Sequence, residues 1–433
     1  MVELLIGLTL LIVLIISGVP VAMSFGAMAI YFIYAFDVSS AMLVPTSFSQ
    51  IKSVVLLSIP FFILIGNLMS TGGLAARLIS FVNSIAGYWR GGLGAVAVLA
   101  CALFGSIAGS CSAALAAIGT IIVPQMEKSG YPRNYATALV ACSSVLGQLI
   151  PPSIAGIMYA LLTYQSIPGC WLATVGPGIL TIIIFCIINF VLTRKMKLTI
   201  PPPLPARERI SQVGSSTVTA SPALLLPVIL LGSIYGGLCT PTEAACLGVI
   251  YVVLVSRYIT RETTWNGVGQ GVIKAASTTG SLVLMLFFIM MNTRILVFEQ
   301  LPQEMAQAIL GVSDNKIIIL LIINLFLVVI GMIMDDISGT VLAASLLFPV
   351  MQELGVHPLH FAAILGVNLG MGNVTPPTAP ILYMAGHITG CRVADYLKYA
   401  MIFIMFGLVP VIIATTYWPG LSLFLPGLFG MVN

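Results

Sequence analysis

Apolar runs about twenty residues long recur from one end of this chain to the other, and that is the length a helix needs to cross the ~30 Å hydrocarbon core of a bilayer. A β-barrel would instead show short segments of alternating polarity. The charge content agrees. Of 433 residues, 59% are apolar and only 7% are Asp, Glu, Lys or Arg, whereas soluble domains carry roughly 25% charged residues. So few charges do not coat a water-soluble body of this size, and the chain reads as an all-α polytopic membrane protein embedded in lipid. The net charge of +4 is small and the basic residues fall in short loops, so no nucleic-acid partner is indicated. No Walker A loop, dinucleotide fingerprint or HExxH motif is present, and any pumping must draw on an ion gradient or a partner. The eight cysteines include no CxxC pair and lie mostly in apolar runs, as small buried hydrophobes do. Glu3, with no Lys or Arg before the first apolar run, marks that run as a retained span rather than a signal peptide.

Breaks at charged or Gly/Pro-rich positions place spans near 3–17, 20–36, 52–70, 133–166 and 171–193, then 222–236, 240–257, 276–297, 358–390 and 399–418. A polar linker at about 194–221, with Pro201, Pro202 and Pro203, divides the chain into 1–195, 196–221 and 222–433. Two further runs, 91–127 and 317–353, are interrupted in the middle by polar residues and read as re-entrant hairpins. Segments 73–89 and 298–314 read as amphipathic helices at the membrane surface. The positive-inside rule then orients the layout. With the linker in the cytoplasm, 14 of 17 basic residues are cytoplasmic, including Arg77, Arg90, Arg257, Arg261 and Lys274, while Lys52, Arg294 and Lys316 lie outside. Both termini are expected outside. This layout puts no Arg or Lys at the midplane, so an anionic solute is expected to meet hydroxyls, amides and helix ends.

A shift of 225 positions overlays 121–160 on 346–385 without a gap. Pro124 meets Pro349, Gly130 meets Gly355, Gly147 meets Gly372, and Pro151-Pro152 meets Pro376-Pro377; Asn67 falls on Asn292. Gly and Pro at helix breaks seldom coincide by accident. Each half has five spans and one hairpin, an odd count of crossings, so the two repeats are expected to be inverted. Inverted repeats around a midplane site are typical of secondary transporters.

Four breaks are candidates for that site. The first hairpin tip reads FGSIAGSCSAA and the second GMIMDDISGT; the broken spans read GQLIPPS (147–153) and GNVTPPT (372–378). Proline in mid-span removes a backbone donor and frees a carbonyl, and irregular backbone at membrane depth is tolerated where it is buried or lines a cavity. Freed carbonyls with Ser and Thr hydroxyls make an oxygen cage that suits Na⁺ or a hydrogen-bonded solute. One cage per repeat predicts two ion sites flanking one solute. The candidate solute-binding residues are Ser112, Ser153, Asp336, Ser338, Asn373 and Thr378. Asp335 and Asp336 are the acids placed deep in the membrane, where charge is costly and usually functional. Each break also has a plainer reading: close helix packing for the Gly/Ser tip, a kink for Pro-Pro and a helix cap for one Asp. His357 and His360, flanking Pro358 in an expected loop, are a weak metal candidate.

With SIPFFILIGNLMSTGG (58–73), GSIAGSCSAALAAIGTIIVPQM (105–126), LIPPSI (149–154), GLCTPTEAACLGVIY (237–251), GMIMD (331–335) and VNLGMGNVTPPTAP (367–380), the chain resembles, over essentially its whole length, the DctM-like large membrane subunit of TRAP (tripartite ATP-independent periplasmic) transporters. The resemblance implies a bacterial inner-membrane carrier with periplasmic termini and the elevator-type architecture of the ion-transporter superfamily. It implies two or more coupling Na⁺ ions and a small carboxylate substrate, a dicarboxylate or a sugar acid such as sialic acid. It further implies two partners, a small four-span membrane subunit and a periplasmic substrate-binding protein. By motif, one Na⁺ site would fall on Ser106, Ser110, Gly147, Ile150 and Pro152, and the other on Gly331, Asp335, Gly372, Thr375 and Pro377. The sequence departs from the family pattern at Ala114, where an Asp is common, and in the extra Asp336. The rival readings are a stand-alone Na⁺/dicarboxylate carrier of related fold and a channel with a fixed pore; an enzyme is disfavoured because no nucleophile–base pair is present.

Overall fold

A computed structural model of the chain describes residues 2–71, 73–199, 205–301, 304, 307, 311 and 315–432. Pro201 to Pro203, Asp314 and much of the expected surface helix 298–314 lie outside the described residues. Every regular element among the described residues is helical. Six of these helices are long and apolar enough to cross a membrane alone, and eight spans result if each of two bent pairs counts as one. The first bent pair, Ser40–Ile51 with Val54–Ser70, turns by 57°, and the second, Arg133–Leu149 with Ile154–Thr163, by 41°.

Both expected hairpins are present. Gly92–Ala108 turns back into Cys111–Lys128, and Lys316–Ile333 into Asp336–Glu353. The first turn needs a residue free to adopt the left-handed region, which Gly109 does at φ 63°. The second turn instead uses extended backbone at Met334 and Asp335. Both broken spans are also present: Leu146–Leu149 and Ile154–Thr163 flank Pro151-Pro152, and Pro358–Asn373 and Pro380–Thr389 flank Pro376-Pro377. Both Pro-Pro bonds are cis.

The packing of these pieces is reciprocal. Ile154–Thr163 packs along Asp336–Glu353, and Pro380–Thr389 packs along Cys111–Lys128. Each hairpin's returning helix thus lies against the second half of the broken span from the other half of the chain. Water drives no helix association in the bilayer core, so close approach depends on small residues. A Cβ at Gly105 would stand 2.6 Å from the Cα of Gly147, and one at Gly331 would stand 3.0 Å from the Cα of Gly372. In both halves the hairpin's incoming helix meets the broken span glycine to glycine.

Four elements differ from the sequence expectation. Residues 206–221, expected as linker, form the start of the helix Ala206–Tyr235. That polar stretch is held by Leu74–Ala86: Ser84 and Ser216 hydroxyls are 2.7 Å apart, and the Arg209 guanidinium donates to the Ile85 carbonyl at 3.1 Å and lies over the Tyr88 ring. The expected span 276–297 is the core of a longer helix, Trp265–Phe298. Helices Ser40–Ile51 and Gly420–Leu428 were not anticipated. Leu74–Ala86 itself is amphipathic as expected, with Leu74, Leu78, Ile79 and Val82 buried on one face.

Candidate functional site

The first hairpin tip is seated in the first broken span through backbone. The Gly109 carbonyl accepts from Ile154 N–H at 3.1 Å. Any side chain at Gly109 would press on the Pro152 carbonyl, and any at Gly147 on the Ser110 carbonyl. Of the expected first ion-site residues, Ser110, Gly147 and Pro152 are therefore brought together. Ser106, one turn before the tip, is buried and donates its hydroxyl to Leu103 O at 2.7 Å, leaving its lone pairs available. Ile150 caps the short helix Leu146–Leu149 in extended conformation.

In the second half it is the hairpin's incoming helix that meets the broken span, at Gly331 and Gly372. A Cβ on Gly372 would stand 2.5 Å from both the Gly331 Cα and the Val328 carbonyl. Thr375 donates its hydroxyl to Met371 O at 2.6 Å. Asp335 sits at the N-cap of Asp336–Glu353, exposed, with no side-chain capping bond. Pro377 is exposed on the broken span. Both clusters offer oxygen donors only, carbonyls and hydroxyls with one carboxylate in the second, which is the donor chemistry of a hard cation. The C-terminal ends of Gly92–Ala108 and Pro358–Asn373 add negative partial charge.

The tips also meet each other. Cys111 N–H donates to the Asp336 carboxylate at 3.4 Å, and these two residues are 225 apart in the chain, the offset of the sequence repeat. Asp336 is 6% exposed. It spends its charge on the first turn of the other hairpin's returning helix, where the helix dipole favours an anion.

Beside this junction is a cavity of about 690 Å³, walled by both tips, by the helices Ser58–Thr71 and Trp265–Phe298, and by the loop at Glu262 to Thr264. Of the expected solute-binding residues, Ser112, Asp336 and Asn373 line it, as do Ser110 and Asp335 from the ion sites. Ser153, Ser338 and Thr378 do not. Ser153 is buried as the N-cap of Ile154–Thr163, accepting from Gly156 N–H at 3.2 Å. Ser338 is 3% exposed and faces Met285 Sδ at 3.1 Å. Thr378 lies on the exposed outer side of the break. Asn373 is 1% exposed, and neither its amide nitrogen nor its oxygen has a hydrogen-bond partner.

Asn67 lines the cavity, whereas its counterpart Asn292 is a buried packing group that donates to Phe25 O at 3.1 Å. His360 is no metal ligand candidate: it is buried, with Nε2 2.7 Å from Thr415 O, while His357 caps the helix that follows it. Sequence reasoning placed Lys274 in a cytoplasmic loop, but it stands on the cavity wall. The signal was the recurrence of Gly267, Gly271, Lys274 and Thr278 at steps of three and four, a polar and small-residue stripe on one helix face.

Several known proteins are similar to this chain in sequence or in fold. The family described as tripartite ATP-independent periplasmic transporter, DctM component, matches residues 8–421. A C4-dicarboxylate TRAP transporter large permease protein of Pseudomonas aeruginosa is 37% identical over 380 residues, 87% of each chain. The isethionate TRAP transporter permease protein DctMQ of Oleidesulfovibrio alaskensis is 32% identical over 95% of this chain and 64% of its own. The crystal structure of the Alcanivorax borkumensis YdaH transporter is similar in fold, with a TM-score of 0.63 at 14% identity over 87% of each chain. Matched over nearly its whole length, the chain belongs to the DctM component family of the tripartite ATP-independent periplasmic transporters.

Proposed function

We propose that this chain is the transport subunit of a TRAP system that imports a small carboxylate together with Na⁺ across the bacterial inner membrane, with both termini periplasmic. The observation that carries the reading is the junction of two hairpin tips, the first seated in its Pro-Pro break and the second reached by an incoming helix packed on its broken span at Gly331 and Gly372, beside one cavity of about 690 Å³. Two oxygen-lined clusters flanking one solute space are what coupled transport requires. Na⁺ on Ser106, Ser110, Gly147, Ile150 and Pro152 and on Gly331, Asp335, Gly372, Thr375 and Pro377 would neutralise Asp335 and the helix C-termini. An anion could then approach tips that otherwise repel it. The N-termini of Cys111–Lys128 and Asp336–Glu353 favour such an anion.

The reciprocal packing of hairpins and broken spans supports two inverted repeats that act as one rigid transport body. We read the helices Ala206–Tyr235, Pro241–Leu254 and Trp265–Phe298 as part of the scaffold against which that body slides, in an elevator motion. The loop at Glu262 to Thr264, beside Arg257 and Arg261 that the positive-inside rule assigns to the cytoplasm, makes the cavity inward-facing. The partners are a periplasmic binding protein and a small membrane subunit; the permease DctMQ, of which this chain covers 64%, is long enough to hold such a subunit in one chain. Relatives named for C4-dicarboxylate, isethionate, sialic acid and 2,3-diketo-L-gulonate support an organic anion as the substrate class.

Proteoliposome uptake tests the reading. Accumulation that needs the binding protein, the small subunit and a Na⁺ gradient together is the expected result. Uptake with Na⁺ alone would point to a stand-alone carrier, and flux indifferent to Na⁺ would point to a channel.

A further inference from the structure

With Asp336 set against the N-terminus of Cys111–Lys128 and Asp335 assigned to Na⁺, the negative charge of an anionic substrate still needs a partner of its own in the cavity. Among the described residues lining the cavity, Lys274 is the basic one. It stands in the helix Trp265–Phe298 with Gln270 one turn before it and Thr278 one turn after, both on the cavity wall. Lys274 is exposed and makes no ion pair among the described residues. The cavity's third acid, Glu262, is already bonded to Arg77 at 2.8 Å. The Lys274 ammonium is therefore free to take an external anion.

A second, independent observation points to a ligand. Asn373, on the broken span, is 1% exposed with both polar amide atoms unpartnered, and it lines the same cavity. A buried amide left unpaired is costly, and a solute oxygen would satisfy it. Ser110 and Ser112, with hydroxyls 3.0 Å apart, add donors on the first tip.

We propose that Lys274 is the residue that selects anions: its ammonium takes a carboxylate or sulfonate, while Asn373 and the tip hydroxyls hold the polar remainder of the same molecule. This rests on the carrier reading above. A cavity of about 690 Å³ holds solutes from a four-carbon diacid to a nine-carbon sugar acid, sizes that pockets of several hundred Å³ ordinarily take. The charge thus defines the class, and the rest of the wall defines the member.

The test is uptake into proteoliposomes holding the complete system, with radiolabelled succinate, isethionate, N-acetylneuraminate and 2,3-diketo-L-gulonate as probes, for wild type, Lys274→Gln and Lys274→Arg. For the probe that wild type carries, Lys274→Gln should raise KM about ten- to a hundred-fold, with the Na⁺ half-saturation and the yield of folded protein unchanged. Lys274→Arg, which keeps the charge, should recover most of that loss. An unchanged KM in Lys274→Gln overturns the proposal and leaves the carrier reading standing. So does equal impairment of both variants through lost folded protein or lowered maximal rate at constant KM, the mark of a structural role. Uptake of none of the four anions by wild type overturns the carrier reading and this proposal with it.

Discussion

Replacing Gly372 by alanine is the sharpest test of how the second ion cluster is built. The added Cβ would stand 2.5 Å from both the Gly331 Cα and the Val328 carbonyl, and ordinary contact begins at 3.4 Å. The helices Lys316–Ile333 and Pro358–Asn373 must therefore part by about 0.9 Å (3.4 − 2.5). Both obstructing atoms are backbone, so no side chain can swing aside. Overpacking of this kind costs ~1–3 kcal/mol. Gly280→Ala is the control, because nothing lies within 4 Å of a Cβ there and alanine in a helix interior gains up to ~1 kcal/mol over glycine. Thermal unfolding in detergent should place Gly372→Ala below wild type and Gly280→Ala at or above it. Na⁺ half-saturation of uptake should rise in Gly372→Ala, since the same shift moves the carbonyls of both glycines. Equal melting temperatures for the two variants, with Na⁺ dependence unaltered in Gly372→Ala, would refute the close-packed cluster.

The remaining predictions concern the hydroxyls, the buried amide and the topology. Thr375→Val and Ser110→Val should each depress Na⁺-dependent uptake while leaving membrane expression intact; two variants with unchanged Na⁺ dependence would remove these hydroxyls from ion binding. Asn373→Leu should match or exceed wild-type stability by ~1 kcal/mol, because it deletes an unpartnered buried amide, yet should lose uptake; melting temperature and transport measured on one preparation check both halves. Arg90→Cys and Lys316→Cys should label from opposite sides of the membrane with an impermeant thiol reagent, over the background of the native cysteines. Labelling of both from one side would contradict inverted repeats.

Much of the framework around the candidate site was legible before any tertiary structure. The hairpins expected at 91–127 and 317–353 are the helix pairs Gly92–Ala108 with Cys111–Lys128 and Lys316–Ile333 with Asp336–Glu353. Both Pro-Pro breaks fall in mid-span, because a residue without an N–H interrupts a helix wherever it is folded. The 225-residue offset, visible in Gly and Pro alone, reappears as the Cys111–Asp336 bond. Other expectations failed for a common reason. Ser153 and Ser338 face packed neighbours rather than the cavity, and Lys274 sits on the cavity wall rather than in a loop. Residues 206–221 are helical because Leu74–Ala86 supplies partners for a polar stretch that looks like a linker.

Hydropathy and helix breaks act within a few turns of chain, so the sequence by itself determined that this is a helical membrane protein, where its hairpins and Pro-Pro breaks fall, and which segments resemble each other at an offset of 225. Which face each helix turns inward depends on neighbours hundreds of residues away. Only the tertiary structure decided that Lys274, Asn373, Ser112 and Asp336 border one space, because a cavity is a property of the gaps between helices.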